Sequence, residues 1–194
     1  MARTNPEARQ RLVATAADML RRRGMNATSI RELAKAAKAP LGSTYHYFPE
    51  GKKQVVLEAV EFAGNRVTEL IIQAFKHGPI AGLDAFLAMW RKIIEQSEFN
   101  AGCPVLAVAM EEAINEEIEA AHLLASKVFD SWQSLLAESL SEHGVEKSEA
   151  DQLATLFIAS AEGAIAMCRA QKRIEPFDQV TAQLKKILES AIPG

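Results

Sequence analysis

The sequence predicts an all-α protein of about nine helices, arranged as an N-terminal three-helix head followed by a C-terminal helical bundle. Apolar residues recur at helical spacing through most of the 194 residues, and no stretch alternates convincingly with a period of two. Hydrophobic residues make up 48% of the chain and charged residues 24%, which is ordinary for a folded globular protein. We therefore expect helices packed on helices, with proline and glycine marking the breaks.

The head begins with two helices whose ends are marked in the sequence. The first is predicted over residues 6–23, with Asn5 as its N-cap and Gly24 where a helix commonly stops. The run Ser29-Ile-Arg-Glu32 has the form of a capping box, in which the serine oxygen accepts from a free backbone N–H. It predicts a second, short helix that ends near Ala37.

A third helix follows the second after a very short turn. Lys38-Ala39-Pro40 breaks the second helix, because proline cannot continue a helix and also restricts the residue before it. Residues 41–48 then form the third helix, and Pro49-Glu50-Gly51 separates it from a long helix over about 52–76. We place the head in residues 1–53 and a second domain in residues 54–194, whose further helices are expected at about 81–96, 105–115, up to 142, 148–173 and 177–192.

Charge is distributed unevenly between these two parts. Residues 1–53 contain 11 Lys and Arg against 4 Asp and Glu, whereas the remaining residues contain 11 against 21. The head thus carries +7 and the rest −10, although the whole chain carries only −3. A local basic surface is what binding to a polyanion requires. The head is therefore predicted to bind nucleic acid, although a solvated basic surface would have the same composition.

Two short helices joined by a tight turn are typical of a helix-turn-helix, in which the second helix enters the major groove of DNA. The third predicted helix, LGSTYHYF, suits that position, since its glycine allows close approach and its small polar and aromatic side chains can contact base edges or phosphates. The residues that we predict to contact DNA are Thr28, Ser29, Arg31, Gly42, Ser43, Thr44, Tyr45, His46, Tyr47 and Lys52.

Several short segments resemble a known family. Residues 27–34, the run Gly-Ser-Thr-Tyr-His-Tyr-Phe at 42–48, and Lys52 resemble the N-terminal domain of the TetR family of transcriptional regulators. Phe-Pro-Glu-Gly-Lys at 48–52, Gly-Cys-Pro at 102–104 and Glu-Gly-Ala at 162–164 resemble its LmrA/YxaF-type subgroup. The chain departs from the family at Lys38, where the turn between the two short helices usually has glycine. Either this turn is reshaped, or Lys38 adopts a strained left-handed conformation.

The resemblance implies that the C-terminal domain forms a homodimer and senses a small-molecule effector. The small and apolar side chains of its last two helices are compatible with a dimer interface, formed by Ala159, Gly163, Ala166, Leu184, Ile187 and Leu188. Large apolar side chains, together with one carboxylate in an apolar helix, are candidates for an effector pocket: Phe86, Met89, Trp90, Met110, Phe129, Trp132, Phe157, Glu162 and Met167. Composition alone leaves ordinary core packing open for both sets.

The expected function is that of a DNA-binding transcriptional regulator, most simply a repressor that leaves a near-palindromic operator when a lipophilic effector binds. A TetR-like activator and a helical adaptor that never binds DNA are the alternatives. No enzyme is expected, because no P-loop or GxGxxG occurs and nothing resembling a Cys/His pattern surrounds Cys103. Cys103 and Cys168 are expected to be buried thiols.

No cofactor or metal site is expected either. The glutamates between 111 and 119 are predicted to form a solvated helix face rather than a metal site. The polar start MARTNPEARQ and the absence of eighteen consecutive apolar residues predict a cytoplasmic protein without a membrane span.

Overall fold

The computed structural model describes residues 5–112 and 114–193, and within these residues all regular secondary structure is helical. The predicted all-α class is therefore confirmed. The described helices are α1 (Pro6–Arg23), α2 (Ile30–Ala36), α3 (Leu41–Tyr47), α4 (Lys52–Phe75), α5 (Pro79–Gln96), α6 (Pro104–Ala109), α7 (Glu116–Glu142), α8 (Lys147–Gln171) and α9 (Glu175–Ala191).

Helix α1 begins and ends at the predicted residues because both of its ends are capped. The side chain of Asn5 accepts hydrogen bonds from the backbone N–H groups of Glu7 and Ala8, at 3.1 and 3.3 Å. Gly24 follows at φ 75°, and its N–H donates to the carbonyl of Leu20 at 2.9 Å. These bonds satisfy backbone groups that have no partner inside the helix.

The turn between α2 and α3 is a Schellman motif with a lysine at its left-handed position. The N–H of Ala39 donates to the carbonyl of Ala34, and the N–H of Lys38 donates to that of Lys35, at 2.9 and 3.3 Å. Lys38 has φ 51°, a conformation that strains a residue with a Cβ atom. Of the two alternatives for this turn, the structure therefore has the strained lysine in a regular turn.

Helix α6 is shorter than predicted, since it ends at Ala109 rather than near Asn115. Asn115 instead starts the next helix, because its side chain accepts from the N–H of Ile118 at 3.0 Å. An asparagine before a run of glutamates is a typical helix start. In this sequence the apolar and acidic residues continue across Asn115, so the pattern does not show where one helix ends and the next begins.

The described chain divides into two compact units. One contains the chain up to Asn65 together with Cys103–Val128, and the other contains Arg66–Gly102 and Phe129–Gly194. The unit that includes the predicted head is larger than residues 1–53 because α6 packs against α1. Its buried apolar residues are Leu12, Val13, Ala16, Ala17, Met19, Leu20, Met25, Ile30, Leu33, Ala34, Phe48, Val55, Val56, Ala59, Val60, Cys103, Val105, Val108, Ile118, Ala121 and Ala125.

The second unit is built around α8, which packs against α5 and α9. Helix α8 is long and apolar enough to cross a membrane by length and composition, but half of that apolar stretch is buried within the protein. Core helices of soluble proteins meet the same criterion. We therefore treat α8 as a core helix that has one exposed face.

Candidate nucleic-acid interface

Helices α2 and α3 form a firmly packed pair. Ser29 caps α2, since its Oγ accepts from the N–H of Glu32 at 3.2 Å. Leu33 of α2 and Phe48, which follows α3, are both fully buried. Burial of each large apolar side chain stabilises the folded head by about 1.5–3 kcal/mol, so the backbone of α3 is held in place by its inner face.

The outer face of α3 is an exposed arc of five residues. Successive residues of an α-helix are rotated by roughly 100°, which places Leu41 beside Tyr45, then Gly42, then His46, and Ser43 at the far side. All five are exposed. The arc therefore has an apolar edge and a polar edge, with a glycine between them.

Gly42 has no structural reason to be glycine within its own chain. Its backbone is helical, and an added Cβ would meet no described atom within 4 Å. A helical glycine is less favourable than alanine by about 0.5–1 kcal/mol. Glycine at this position therefore suits the close approach of a molecule from outside the chain.

Three of the predicted DNA-contacting residues form hydrogen bonds within the head, and two of them are buried. The hydroxyl of Thr28 is buried and donates to the carbonyl of Gly24 at 3.0 Å, and that of Thr44 is buried and donates to Pro40 at 3.1 Å. Tyr47 is half-buried, and its hydroxyl oxygen accepts from the N–H of Asn5 at 3.2 Å. The buried hydroxyl groups of Thr28 and Thr44 are bonded within the head, so the prediction that these two side chains contact DNA is corrected, whereas a contact by the partly exposed Tyr47 stays a prediction.

Basic side chains accompany the arc. Arg31 and Lys35 of α2 and Lys38 of the turn are exposed. Lys52, at the start of α4, is partly exposed, with its Nζ 3.9 Å from Oε1 of Glu117. The structure thus provides exposed cations on the elements next to α3, as binding to phosphates requires.

A group of side chains not singled out by the sequence joins α1 to α4 beneath α3. The guanidinium of Arg9 forms an ion pair with Glu58 at 2.5 Å and lies 5.8 Å from the ring centroid of Phe48. The amide of Gln54 donates to the same Glu58 oxygen at 2.9 Å. The i, i+4 spacing of Gln54 and Glu58 was visible, but their contact with Arg9 required the tertiary fold.

Two of the glutamates predicted to be solvated are not simply surface charges. Glu111 accepts from the backbone N–H of Met25 and from the side chain of Asn26, at 3.1 and 3.2 Å. Glu117 lies next to Lys52, as described above. The Glu111 contact spans 86 residues and the Glu117 contact spans 65, so neither contact could be predicted from a local sequence pattern.

The predicted dimer residues divide into two groups. Ala159, Gly163 and Ala166 of α8 and Ile187 of α9 are exposed. Leu184 and Leu188, in contrast, are almost fully buried within their own chain. Their prediction as interface residues is corrected, because the strongly apolar face of α9 is used by its packing on α5 and α8.

The exposed face of α8 is apolar between Leu156 and Met167. Leu156 and Met167 lie on it with the three small residues just described, at the spacing of a single helical stripe. An added Cβ at Gly163 would meet no described atom within 4 Å. Beside this stripe, a shallow open groove of about 350 Å³ is lined by Glu149, Leu153, Lys186, Ile187, Ser190 and Ala191.

The predicted pocket residues are placed mostly in the core of the second unit. Phe86 and Trp90 are buried in an edge-to-face contact at 6.5 Å, and Phe129 and Trp132 form another at 5.6 Å. The indole N–H of Trp132 donates to Oγ1 of Thr68 at 3.2 Å. The other buried members are Phe157 and Glu162, and Met89 is partly buried.

Two methionines from the same prediction are on the surface. Met110 is 76% exposed and Met167 is 48% exposed, so neither lines an enclosed cavity in this conformation. Met110 follows the end of α6, and Met167 belongs to the exposed stripe of α8. Their placement corrects the prediction for these two residues, while the pocket itself remains a prediction.

Both cysteines are buried, and neither forms a disulfide bond. Burial raises the pKa of the Cys168 thiol, and Asp178 and Glu175 raise it further, against lowering by a backbone hydrogen bond and by Arg173. Cys168 is therefore a protonated core residue at neutral pH, which agrees with its interpretation as a small apolar side chain.

Comparison with known families is consistent with this geometry. Residues 12–59 match the family described as "Bacterial regulatory proteins, tetR family". Residues 79–183 match "Transcriptional regulator LmrA/YxaF-like, C-terminal domain". Among the described residues, the first match covers most of α1, all of α2 and α3, and the start of α4.

Individual relatives span nearly the whole chain. An uncharacterized HTH-type transcriptional regulator of Mycobacterium tuberculosis (strain H37Rv) is 37% identical over 188 residues, covering 95% of this chain and 96% of its own length. The uncharacterized HTH-type transcriptional regulator YxaF of Bacillus subtilis is 31% identical, with 92% and 93% covered. The crystal structure of a TetR regulatory protein from Rhodobacter sphaeroides superimposes with a TM-score of 0.81 at 27% identity, over 92% of this chain and 97% of that one.

Proposed function

Because the chain belongs to the TetR family of regulators and has an LmrA/YxaF-like C-terminal domain, we propose that it is a cytoplasmic, ligand-responsive repressor. In this proposal a homodimer binds near-palindromic operator DNA and leaves it when a small lipophilic molecule occupies the second unit. DNA-binding transcriptional regulation is the activity of the family, whereas the repressor mode, the dimer and the effector are the proposed parts.

The exposed arc of α3 is the observation that carries the proposal. Tyr45 and His46 present ring and hydrogen-bonding groups outward from a helix whose inner face is fixed by buried Thr44 and Phe48. A recognition helix needs this combination, because base edges are read only by side chains in fixed positions. The exposed cations of α2 and of the following turn provide contacts for the phosphates on either side.

The exposed stripe on α8 supports the homodimer. Small side chains at Ala159, Gly163 and Ala166 allow the backbones of two helices to come close, and a two-fold interface uses the same surface on both subunits. A dimer is needed for affinity and for reading a palindrome, since the two copies of α3 must meet successive major grooves about 34–36 Å apart.

Release by an effector follows from a shift between conformers. A ligand that binds more tightly to a conformer with a different α3 spacing lowers operator affinity by the ratio of its two affinities. Helix α4 runs without interruption from Lys52 in the first unit to Phe75 in the second. In this proposal, a displacement of its Phe75 end on ligand binding is transmitted along the helix to its Lys52 end. The aromatic pairs that contain the buried residues Trp90 and Trp132 are the proposed apolar contacts for such a ligand.

The first test is a fluorescence-anisotropy titration of the purified protein against a duplex selected from a random DNA library, at two salt concentrations and with random competitor DNA. We expect binding to a near-palindromic site that survives competition and weakens as salt increases, because phosphate contacts release counterions. The double variant Tyr45→Ala/His46→Ala should lose the preference for the selected site while it keeps weak binding to random DNA.

A protein that selects no sequence and does not bind random DNA at low salt would contradict the proposal and favour an adaptor. The effector is tested by adding lipophilic compounds to the preformed complex and measuring release. Because a ligand of the folded protein also raises its melting temperature, release and thermal stabilisation should occur with the same compounds.

A further inference from the structure

The apolar edge of the α3 arc can be assigned a role in recognition that does not follow from family membership. Leu41 is the first residue of α3 and is 39% exposed, and Tyr45, one helical turn later, is 53% exposed. The two side chains are neighbours on one face of the helix because they are four residues apart. Single exposed leucines are common in proteins, but an exposed apolar pair at the start of a recognition helix lies where base edges are read.

We propose that Leu41 and Tyr45 together form an apolar surface that recognises the 5-methyl group of a thymine in each operator half-site. This inference rests on the proposed function, since it assumes that α3 enters the major groove. The thymine methyl is the only apolar group that a base pair presents in the major groove, and apolar side chains are its natural partners. Arg31 and Lys35 of α2 and Lys38 of the turn are exposed cations on the elements next to α3, and they favour DNA over a second apolar protein surface as the occupant.

The position of Leu41 strengthens this assignment. Pro40 precedes it in an extended conformation, at φ −61° and ψ 134°, so the chain enters α3 with a fixed direction. Thr44, one turn further on, is buried and bonded to the carbonyl of Pro40, which anchors the first turn from inside. The exposed part of Leu41 is thus presented on a backbone that is held from both sides, as the recognition of one methyl group requires.

The opposite edge of the arc provides an internal comparison. Ser43 and His46 are exposed and polar, so they can recognise hydrogen-bonding groups but gain little from a methyl group. A base change that removes only the methyl group should therefore affect the Leu41 edge and leave the Ser43 edge unaffected.

The test replaces each dT of the selected operator, one at a time, by dU. This substitution removes the methyl group and preserves the hydrogen-bonding pattern of the base pair. We expect one or two positions in each half-site at which affinity falls about fourfold, because burying one methyl-sized group is worth about 0.8 kcal/mol and 1.4 kcal/mol is a factor of ten. Leu41→Ala should bind the dT operator more weakly and should no longer distinguish dT from dU at that position.

Two further variants keep the result interpretable. Leu41→Met keeps an apolar side chain of similar size and should keep the discrimination, whereas Ser43→Ala should discriminate as the native protein does. Circular dichroism and the melting temperature check that each variant is folded. Tyr45→Ala should reduce the discrimination as well, because its ring completes the apolar surface.

The inference is overturned if the native protein binds the operator but is indifferent to dU at every dT, or if Leu41→Ala keeps the full discrimination. Either result would leave operator binding intact and thus would not affect the proposed function. Failure to bind any unmodified duplex would overturn the proposed function first and the methyl recognition with it.

Discussion

The carboxylate of Glu111 accepts a hydrogen bond from the backbone N–H of Met25, with 3.1 Å between Oε1 and N, although 86 residues separate the two positions. The second oxygen accepts from the side chain of Asn26 at 3.2 Å. Met25 itself is buried in the turn that joins α1 to α2. The Glu111 side chain, just after α6, therefore accepts from both a backbone donor and a side-chain donor of the turn that precedes α2.

Replacing Glu111 by alanine should lower the free energy of unfolding by about 1–2 kcal/mol, because a partly buried backbone N–H loses a charged acceptor. Glu111→Gln keeps one oxygen and should lose less. The measurement is urea unfolding followed by circular dichroism. Glu112→Ala is the matched control, since its side chain is the exposed neighbour. Equal losses in the Glu111→Ala and Glu112→Ala variants would show that the Met25 contact has no energetic role.

The lysine in the turn before α3 gives a second prediction. Lys38 has φ 51°, a conformation that costs a residue with a Cβ about 1 kcal/mol relative to glycine. Lys38→Gly should therefore be more stable to unfolding than Lys38→Ala by about 1 kcal/mol, a difference reduced by the greater freedom of unfolded glycine. Both variants remove the same charge, so their operator affinities should fall together. A more stable alanine variant would mean that the turn is not left-handed at this residue.

Much of the head could be predicted from local chemistry alone. Asn5, Gly24 and Ser29 set helix ends through contacts with residues at most four positions away, which a sequence pattern can show. The end of α6 is predicted too late, because a continuous apolar and acidic pattern hides the helix start at Asn115. A local pattern also cannot show that Glu111, just after α6, contacts Met25 across 86 residues.

The burial of the candidate site residues also could not be predicted from local sequence patterns. Composition predicts which short helix contacts DNA, but only the fold shows that Thr44 is buried while Leu41 stays partly exposed. Likewise the apolar stripe of α9 was visible in the sequence, yet Leu184 and Leu188 are buried in their own chain. An apolar stripe on a helix predicts that this face packs against another surface, but it does not show whether that surface belongs to the same chain or to a second subunit.

The glycines of the helices give a third prediction, because their surroundings differ. An added Cβ at Gly82 would lie 2.4 Å from Cγ of Phe75, whereas at Gly42 it would meet no described atom within 4 Å. Gly82→Ala should therefore lower the free energy of unfolding by about 1–3 kcal/mol through overpacking. Gly42→Ala should leave stability unchanged or raise it by up to about 1 kcal/mol.

Operator affinity should respond in the opposite order. Gly42→Ala adds a methyl group where we propose that the backbone approaches DNA, and we expect its affinity to fall about tenfold, or about 1.4 kcal/mol. Gly82→Ala should bind normally at temperatures where it remains folded. Anisotropy titrations combined with melting curves separate the two effects. Unchanged affinity in Gly42→Ala would show that this stretch of α3 does not approach the duplex closely.

The last prediction concerns the exposed stripe of α8. Ala159→Arg puts a long cation on a face where two helices are proposed to meet, so the protein should be largely monomeric by light scattering at micromolar concentration. The same substitution at Ala85, an exposed alanine of α5 in the same compact unit, is the matched control and should leave the dimer intact.

Both variants should remain folded by circular dichroism, because neither position is buried in its own chain. Ala85→Arg should melt within a few degrees of the native protein, whereas Ala159→Arg should lose the stabilisation that the dimer adds. The Ala159→Arg monomer should also bind a full operator no more tightly than a half-site, since the gain from two linked recognition helices depends on the dimer. If Ala159→Arg remains dimeric while Ala85→Arg does not, the interface lies on α5, and the exposed small residues of α8 need another explanation.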